Sequence, residues 1–456
     1  MNKNARYLAT QALVRVHQGG GYSNAVLDLL LSDEHSENTM SSADRALISR
    51  LFYGVLERLL TLDYIIEQHS SVRIKKMHPV VRELLRLGCY QLIYMDKIPA
   101  SAAVNETVKL ARSMKQDKAA GFINAVLRAV ERHNGHLLDN LADDEQGLSV
   151  RTSCPVQLIR LWSSDYGDDM AVLLAESANQ TPPVTIRLNT FKIKQKEFED
   201  ILEKSAIEFT KHPFISACYD IKDVVGLKRL AELPENCYYH QDKASQICCM
   251  ALGAEPGERV ADVCAAPGGK SLTLAQLMEN EGEILAGEIN PSKCDAMERR
   301  INLAGATNLI TVVRDASKPC PSALIGKFDR VLCDVPCSGF GAIRRKPEIR
   351  YKPIESFASI PELQLSILNE SANMVRRGGV LQYSTCTLNK AENEQVANRF
   401  LSLHPEFSPR ILPLEDCFLA SGGQPSYQIT LFPPIHGTDG FYIAGFTKNE
   451  ETAEMR

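Results

Sequence analysis

The sequence predicts an α/β protein, in which a doubly wound, Rossmann-like parallel sheet follows a small α+β unit and an all-helical front. Three observations carry this reading. From Tyr238 onward, short apolar runs alternate with helical patterns, the alternation that builds a parallel sheet with helices on its faces. Residues 5–135, in contrast, carry apolar residues at helical spacing alone. A tight turn at Gly268-Gly269 joins the first strand of the alternating region to a helix, where open α/β sheets bind ligands.

Composition bounds the rest. A chain of 456 residues, 44% of them hydrophobic, can build two or three domains. A charged fraction of 23% is that of an ordinary globular protein. No apolar stretch is long enough to span a membrane, and Met1-Asn2-Lys3-Asn4 leads straight into a helical pattern without a signal peptide. The thirteen cysteines are an odd, scattered set with no C-x-x-C pair and no zinc spacing, so neither disulfides nor a metal is expected. Free thiols suit a reducing cytoplasm. The net charge of −5 disfavours indiscriminate polyanion binding. Its distribution is uneven: residues 1–135 hold 18 Lys and Arg against 13 Asp and Glu, a local +5, which leaves −10 for the remainder. A basic module on an acidic body is compatible with a nucleic-acid partner.

Taken in order, helices are expected over 5–16, 49–68, 80–95 and 119–130, with Asp44 capping a helix start and Pro79 in a first turn. Gly19-Gly20-Gly21 breaks the chain after the first helix. The polar, acidic stretch 136–150 reads as a linker that closes a helical domain over 1–135. A small α+β unit then spans 151–237, with helices at 155–162, 170–179 and 194–204 and a strand at 184–188. The sheet domain occupies 238–448, with strands at 259–264, 283–288, 309–314, 330–335, 379–384 and 440–446. Its helices are expected at 270–278, 292–304, 361–375 and 391–404, and 449–456 is a tail.

The turn V-A-D-V-C-A-A-P-G-G-K (260–270) is a strand, a loop and a helix start. Gly268 and Gly269 let backbone approach a ligand, and the helix N-terminus offers N–H groups to a carboxylate or phosphate. Glu288 ends the next strand, 19 residues after Gly269, where an acid holds ribose hydroxyls. Asp315 ends the third strand, placed for an adenine amino group, and Asp334 ends the fourth. A nucleoside with an amino-acid tail fits this set and points to S-adenosyl-L-methionine. Two phosphate-binding loops fit worse. Gly269-Lys270-Ser271 ends like a P-loop, but Cys264 stands where its first glycine belongs, and the G-x-G-x-x-G spacing is absent.

Two cysteines fall where strands should end: Cys337 in F-D-R-V-L-C-D-V-P-C-S-G and Cys386 in V-L-Q-Y-S-T-C-T. Their placement predicts one shared pocket despite 49 intervening positions, and a pair of thiols beside a donor loop suggests covalent chemistry. Residue chemistry alone leaves open which thiol attacks. Lys270 is a candidate cation for lowering a thiol pKa. Cys89, Cys154, Cys218, Cys237, Cys248, Cys249, Cys264, Cys294, Cys320, Cys333 and Cys417 read as small apolar side chains, with Cys264 touching the donor through its backbone.

These motifs resemble those of the Nol/Nop/Sun family of RNA cytosine-5 methyltransferases. C-A-A-P-G-G-K (Cys264, Ala265, Ala266, Pro267, Gly268, Gly269, Lys270) is similar to its donor loop, the Cys337 segment to its signature, and Y-S-T-C-T to its second cysteine motif. Gln241-Asp242-Lys243-Ala244-Ser245 and Asp439-Gly440-Phe441-Tyr442 resemble its opening and closing segments, and residues 5–135 resemble the NusB-like RNA-binding module. Glu288 departs from the pattern, since relatives often carry Asp there.

The resemblance implies methylation of C5 of a cytidine in 16S rRNA, cytidine 967 for members with the NusB-like module, by a cytoplasmic monomer without a metal. It implies Cys386 as nucleophile, Asp334 at N3 of the base and near the donor, and Cys337 in proton loss or product release. Alternatives of other kinds are a tRNA cytosine-5 methyltransferase and a non-catalytic RNA-binding assembly factor. Backbone contacts need cations, for which Arg344, Arg345, Lys346 and Arg187 (with Asn189) are candidates, as are Arg73, Lys75, Lys76, Lys109, Arg112, Lys115 and Lys118.

Overall fold

The computed structural model describes residues 4–19, 23–31, 40–133, 136–415, 418 and 425–450. Cys417, Gly20, Gly21, Gly135 and the tail from 451 lie outside the described residues. The chain divides into two compact units: Met1–Gln180 with Ile343–Ile354, and Thr181–Ala342 with Glu355–Arg456.

The first unit is helical, with helices at Ala5–Gly19, Ser23–Leu31, Ser42–Glu57, Leu59–His69, Pro79–Tyr94, Ala100–Ser113 and Ala120–Arg132. Leu13, Leu51, Phe52, Leu62, Leu84, Leu87, Ile123 and Leu127 recur at helical spacing and are fully buried in one core. The run expected over 49–68 is broken in two at Arg58, whose φ of −113° and ψ of 20° leave the helical region. The cap of the earlier helix is Ser41, whose Oγ accepts from Asp44 N at 3.1 Å; Asp44 sits inside the first turn, where its charge suits the helix dipole. Pro79 opens its helix as expected.

Helix resumes within the expected linker, at Glu145. Asp144 caps Glu145–Thr152 by accepting from Gly147 N at 2.8 Å, and Leu148 and Val150 are buried. The helices Val156–Tyr166 and Asp168–Ser177 fall in this first compact unit too.

The segment Ile343–Ile354 interrupts the second unit in sequence and packs in the first. Its short 3₁₀ helix Pro347–Tyr351 sets Arg350, 1% exposed, among backbone acceptors: Nη2 donates to Ala178 O at 2.9 Å and Ile343 O at 3.1 Å. Tyr351 donates to Leu56 O at 2.7 Å, and Glu348 accepts from Ser23 N at 3.0 Å.

The second unit holds two sheets. The small one is antiparallel, in the order β2-β3-β1-β4, from β1 (Val184–Leu188), β2 (Phe209–Lys211), β3 (Cys218–Ile221) and β4 (Tyr238–His240). β4 pairs with β1, so Tyr238–His240 closes the small sheet instead of opening the large one. The large sheet runs β10-β12-β9-β8-β5-β6-β7, with β11 also on β12. Its strands are β5 (Arg259–Asp262), β6 (Glu283–Glu288), β7 (Leu309–Val313), β8 (Phe328–Asp334), β9 (Val375–Thr385), β10 (Phe407–Pro409), β11 (Gln428–Leu431) and β12 (Phe441–Lys448). β5 to β9 are parallel, while β12 enters antiparallel between β9 and β10. Helices cover both faces over two apolar cores, as a parallel sheet requires.

Candidate active site

Asp262, Glu288 and Asp334 end β5, β6 and β8, and Asp315 lies just past β7, so the parallel register brings four carboxylates to one edge of the sheet. The loop after β5 turns on Gly268, whose φ is +92° and whose Cβ, if it had one, would meet Met297 Cγ at 2.8 Å. Only glycine fits there without strain. Gly269 begins the helix Gly269–Leu277. Gln241, 7% exposed, points a buried Nε2 with no hydrogen-bond partner to within 3.6 Å of where a Gly269 Cβ would stand. A helix N-terminus beside an unsatisfied amide donor suits a ligand carboxylate. Glu288 accepts from Asn290 N at 2.9 Å. Asp315 accepts from Ser317 N at 3.0 Å and Oγ at 2.6 Å, bonds that hold its carboxyl below the usual range. Ala265 N donates to Gly287 O at 2.8 Å, which fixes the loop against β6.

The two cysteines meet. Sγ of Cys337 and Sγ of Cys386 lie 3.3 Å apart, one on each of the loops that follow the paired strands β8 and β9. The hydrogen bond with Cys386, reinforced by burial, raises the Cys337 thiol well above its ordinary pKa. Asp334 closes the group: Oδ2 pairs with Lys270 Nζ at 2.7 Å and Oδ1 accepts from Ser384 Oγ at 2.9 Å. Burial acts to lower the Lys270 pKa, but the Asp334 carboxylate prevails and holds it above its usual value. Lys270 also donates to Ser245 Oγ at 3.2 Å and lies 5.1 Å from the centre of the Phe441 ring. The ammonium expected beside a thiol is thus committed to Asp334.

Sequence reasoning missed Glu392. This carboxylate is fully buried and receives four neutral donors: Ser338 N at 2.8 Å, Ser338 Oγ at 2.5 Å, Asn389 Nδ2 at 2.9 Å and Gln364 Nε2 at 3.1 Å. Nothing in K-A-E-N-E-Q distinguishes it from an exposed first-turn acid.

Other candidates fall elsewhere. Arg187 is 4% exposed, and its guanidinium is spent inside the unit on Gln276 Oε1 at 2.6 Å, Gln246 Oε1 at 3.1 Å and Ser216 O at 3.2 Å. Asn189 bridges Asn236 O and Ala304 O, both at 2.9 Å. Both residues tie the small sheet to its neighbours instead of facing solvent. Arg344, Arg345 and Lys346 belong to the segment packed in the helical unit; Arg344 is buried, Arg345 half-buried and Lys346 exposed. Arg73, Lys75, Lys76, Lys109, Arg112, Lys115 and Lys118 lie at least partly exposed, although the helix ends at Ser113, before the last two. Among the other described cysteines, burial pushes Cys248 and Cys333 up to about 12 and Cys264 well above its usual value, which keeps them protonated.

A parallel sheet with a glycine turn after its first strand, acids at successive strand ends and an antiparallel strand near one edge is the architecture of a Rossmann-like methyltransferase. The chain belongs to the 16S rRNA methyltransferase RsmB/F family. Residues 249–447 match that family, residues 3–132 the NusB family, and residues 154–225 the ferredoxin-like domain of RsmF/B-like methyltransferases. The chain is 34% identical to the probable ribosomal RNA small subunit methyltransferase B of Bacillus subtilis, over 98% of this chain and 99% of that one. It is 29% identical to the ribosomal RNA small subunit methyltransferase B of Klebsiella pneumoniae, over 98% and 99%. Among solved structures, PH0851 covers 97% of this chain and 98% of its own, with a TM-score of 0.79 and 24% identity. A methyltransferase homolog from Pyrococcus horikoshii covers 68% of this chain and 100% of its own, with a TM-score of 0.57 and 26% identity. Among the described residues no helix is long and apolar enough to cross a membrane.

Proposed function

We propose that this protein transfers a methyl group from S-adenosyl-L-methionine to C5 of cytidine 967 of 16S rRNA, through a covalent bond between Cys386 and C6 of the base. The observation that carries the proposal is the 3.3 Å pair of thiols beside the Asp334–Lys270 ion pair.

The donor fits the residues at the glycine turn. Gly268, Gly269 and the Gln241 amide would hold its amino-acid end, Glu288 the ribose hydroxyls and Asp315 the adenine amino group. When bound, it supplies an electrophilic methyl group. Cytosine C5 is a poor nucleophile until a thiolate adds to C6 and makes the C5–C6 unit enamine-like. Two thiols this close do not both ionise readily, since like charges at short range oppose each other. The resemblance to the RNA cytosine-5 methyltransferases assigns the attack to Cys386, with Cys337 as the thiol 3.3 Å beside it. Asp334, paired with Lys270, would hydrogen-bond N3 of the base, where charge gathers as the thiolate adds. After C5 has taken the methyl group, its proton must leave and the C6–S bond must break. Cys337 is within reach of that sulfur and assists the release. The base must be unpaired or flipped out for this chemistry. The solvent-facing cations of the helical unit, with Lys346, suit backbone phosphates, and Arg187 is not among them.

Cys386→Ala is expected to abolish both methylation and covalent capture of RNA, while Cys337→Ala accumulates an RNA adduct on denaturing gels. Exchange of the two outcomes would overturn the assignment of roles. Bisulfite sequencing of total RNA from a deletion strain tests the target: 5-methylcytidine should vanish from the 16S site and persist elsewhere.

A further inference from the structure

The two thiols sit on separate loops, and the residues beside each cysteine are joined through Glu392. Ser338, which follows Cys337, gives both its N–H and its hydroxyl to the Glu392 carboxylate. The same hydroxyl lies 2.7 Å from Thr387 Oγ1, on the residue that follows Cys386. Gln364 Nε2 donates both to Glu392 Oε2 at 3.1 Å and to Pro336 O at 3.0 Å, on the residue before Cys337. Asn389 ties the far end of the second loop to Oε1. Gly341 N, donating to Cys386 O at 3.0 Å, completes the join. Tyr383, near the end of β9, donates to the Glu392 backbone carbonyl at 2.5 Å and fixes the carboxylate's own anchor.

We infer that Glu392 is a positioning residue, which sets the spacing of the two thiols by clamping their loops from beneath. The chemistry of the site explains a carboxylate here. Both oxygens face donors, so a group that accepts on both sides is required, and an amide can satisfy only one side without reorienting its neighbours. No cation is among the four donors, so the group acts as a multiple acceptor and not as one half of an ion pair. Being fully buried, it cannot exchange these partners for water, and loss of the side chain takes the acceptor from Ser338 N and Asn389 Nδ2 and leaves Gln364 Nε2 only Pro336 O. The loops would then relax apart, and a displacement of about 1 Å between reacting groups costs on the order of 100-fold in rate.

The catalytic half of this inference rests on the roles proposed above for Cys386 and Cys337; the spacing half does not, and the test separates them. Phenylarsine oxide binds two thiols only when they can reach one arsenic atom. Wild-type full-length protein should bind it tightly, and Cys337→Ser should not. Glu392→Ala should lose tight binding by about 100-fold while Cys386 still reacts with iodoacetamide. Its kcat should fall on the order of 100-fold with KM for RNA changed less than about 3-fold, and Glu392→Gln should recover roughly half of the loss on a logarithmic scale. Calorimetric binding of S-adenosyl-L-methionine reports that each variant is folded. Retention of arsenical binding in a folded Glu392→Ala protein overturns the inference. Loss of that binding with unchanged kcat upholds the spacing role and overturns the catalytic reading of the thiols instead.

Discussion

Asp262 is a buried carboxyl whose ionisation is disfavoured. It is 1% exposed, and burial, with the Asp334 charge adding to it, raises its pKa to about 6 despite the 2.7 Å hydrogen bond from Ser271 Oγ. A carboxyl raised in this way binds its proton more tightly folded than unfolded. The protein therefore loses stability as pH rises from near 4, where the unfolded group ionises, to about 6, where the folded one does. Asp262→Asn keeps an acceptor for Ser271 and removes the charge. It should gain about 3 kcal/mol against denaturant at pH 7.5 and about half as much at pH 5. An equal gain at both pH values would show that the charge is not the cause. The same scale shows what the sequence could reveal. Cys337, Cys386, Asp334 and the glycine turn were legible because each closes an apolar strand in a distinctive motif. Arg187 and Glu392 were not, since a charged letter carries no mark of the buried partners that neutralise or satisfy it.

At the level of elements, short apolar runs located several strands closely. The expected strands 184–188 and 283–288 match β1 and β6 to the residue. β8 and β9 run longer than their apolar centres, because Phe328 pairs with Val375 across a register shift that apolar patterning does not encode. Tyr238–His240, for which no strand was expected, pairs with β1: three residues carry too little periodicity to announce a strand. A closer constraint lies where the Cys337 loop passes the start of β12. A Cβ on Gly341 would sit 1.9 Å from Gly440 O, and Gly440 N donates to Gly341 O at 2.9 Å. Gly341→Ala must push these backbones apart, at a cost of about 2–3 kcal/mol, and should lower both the melting temperature and methylation. Gly121→Ala, in a helix with nothing within 4 Å of the new methyl group, should leave the melting temperature unchanged or slightly raised. A similar fall in both variants would refute the steric account.

Across the whole molecule, the sequence reads as modules in series, yet the first unit is discontinuous. The Ile343–Ile354 segment supplies it with Glu348, Ile349 and Arg350, all buried. No local pattern could disclose this, because the segment's charges resemble a solvated basic run and its partners lie about 170 or more positions away in sequence. A chain truncated after Gln180 lacks the segment and leaves Ser23 N, Leu56 O and Ala178 O without these partners. It should melt lower, and be cleaved faster by a protease within the helical unit, than the same unit in the full chain. Equal protection in the two would mean that the segment is dispensable to that fold.

The same discontinuity fixes an order of events during synthesis. The helices before Gln180 leave the ribosome ahead of the sheets, but the buried Arg350 of the same unit is made only after the glycine turn and Cys337. At about 5–20 residues per second, the early helices wait roughly ten to thirty seconds for the piece that completes them. Through that interval the nascent chain carries an unfinished surface, and a unit begun early is sealed late.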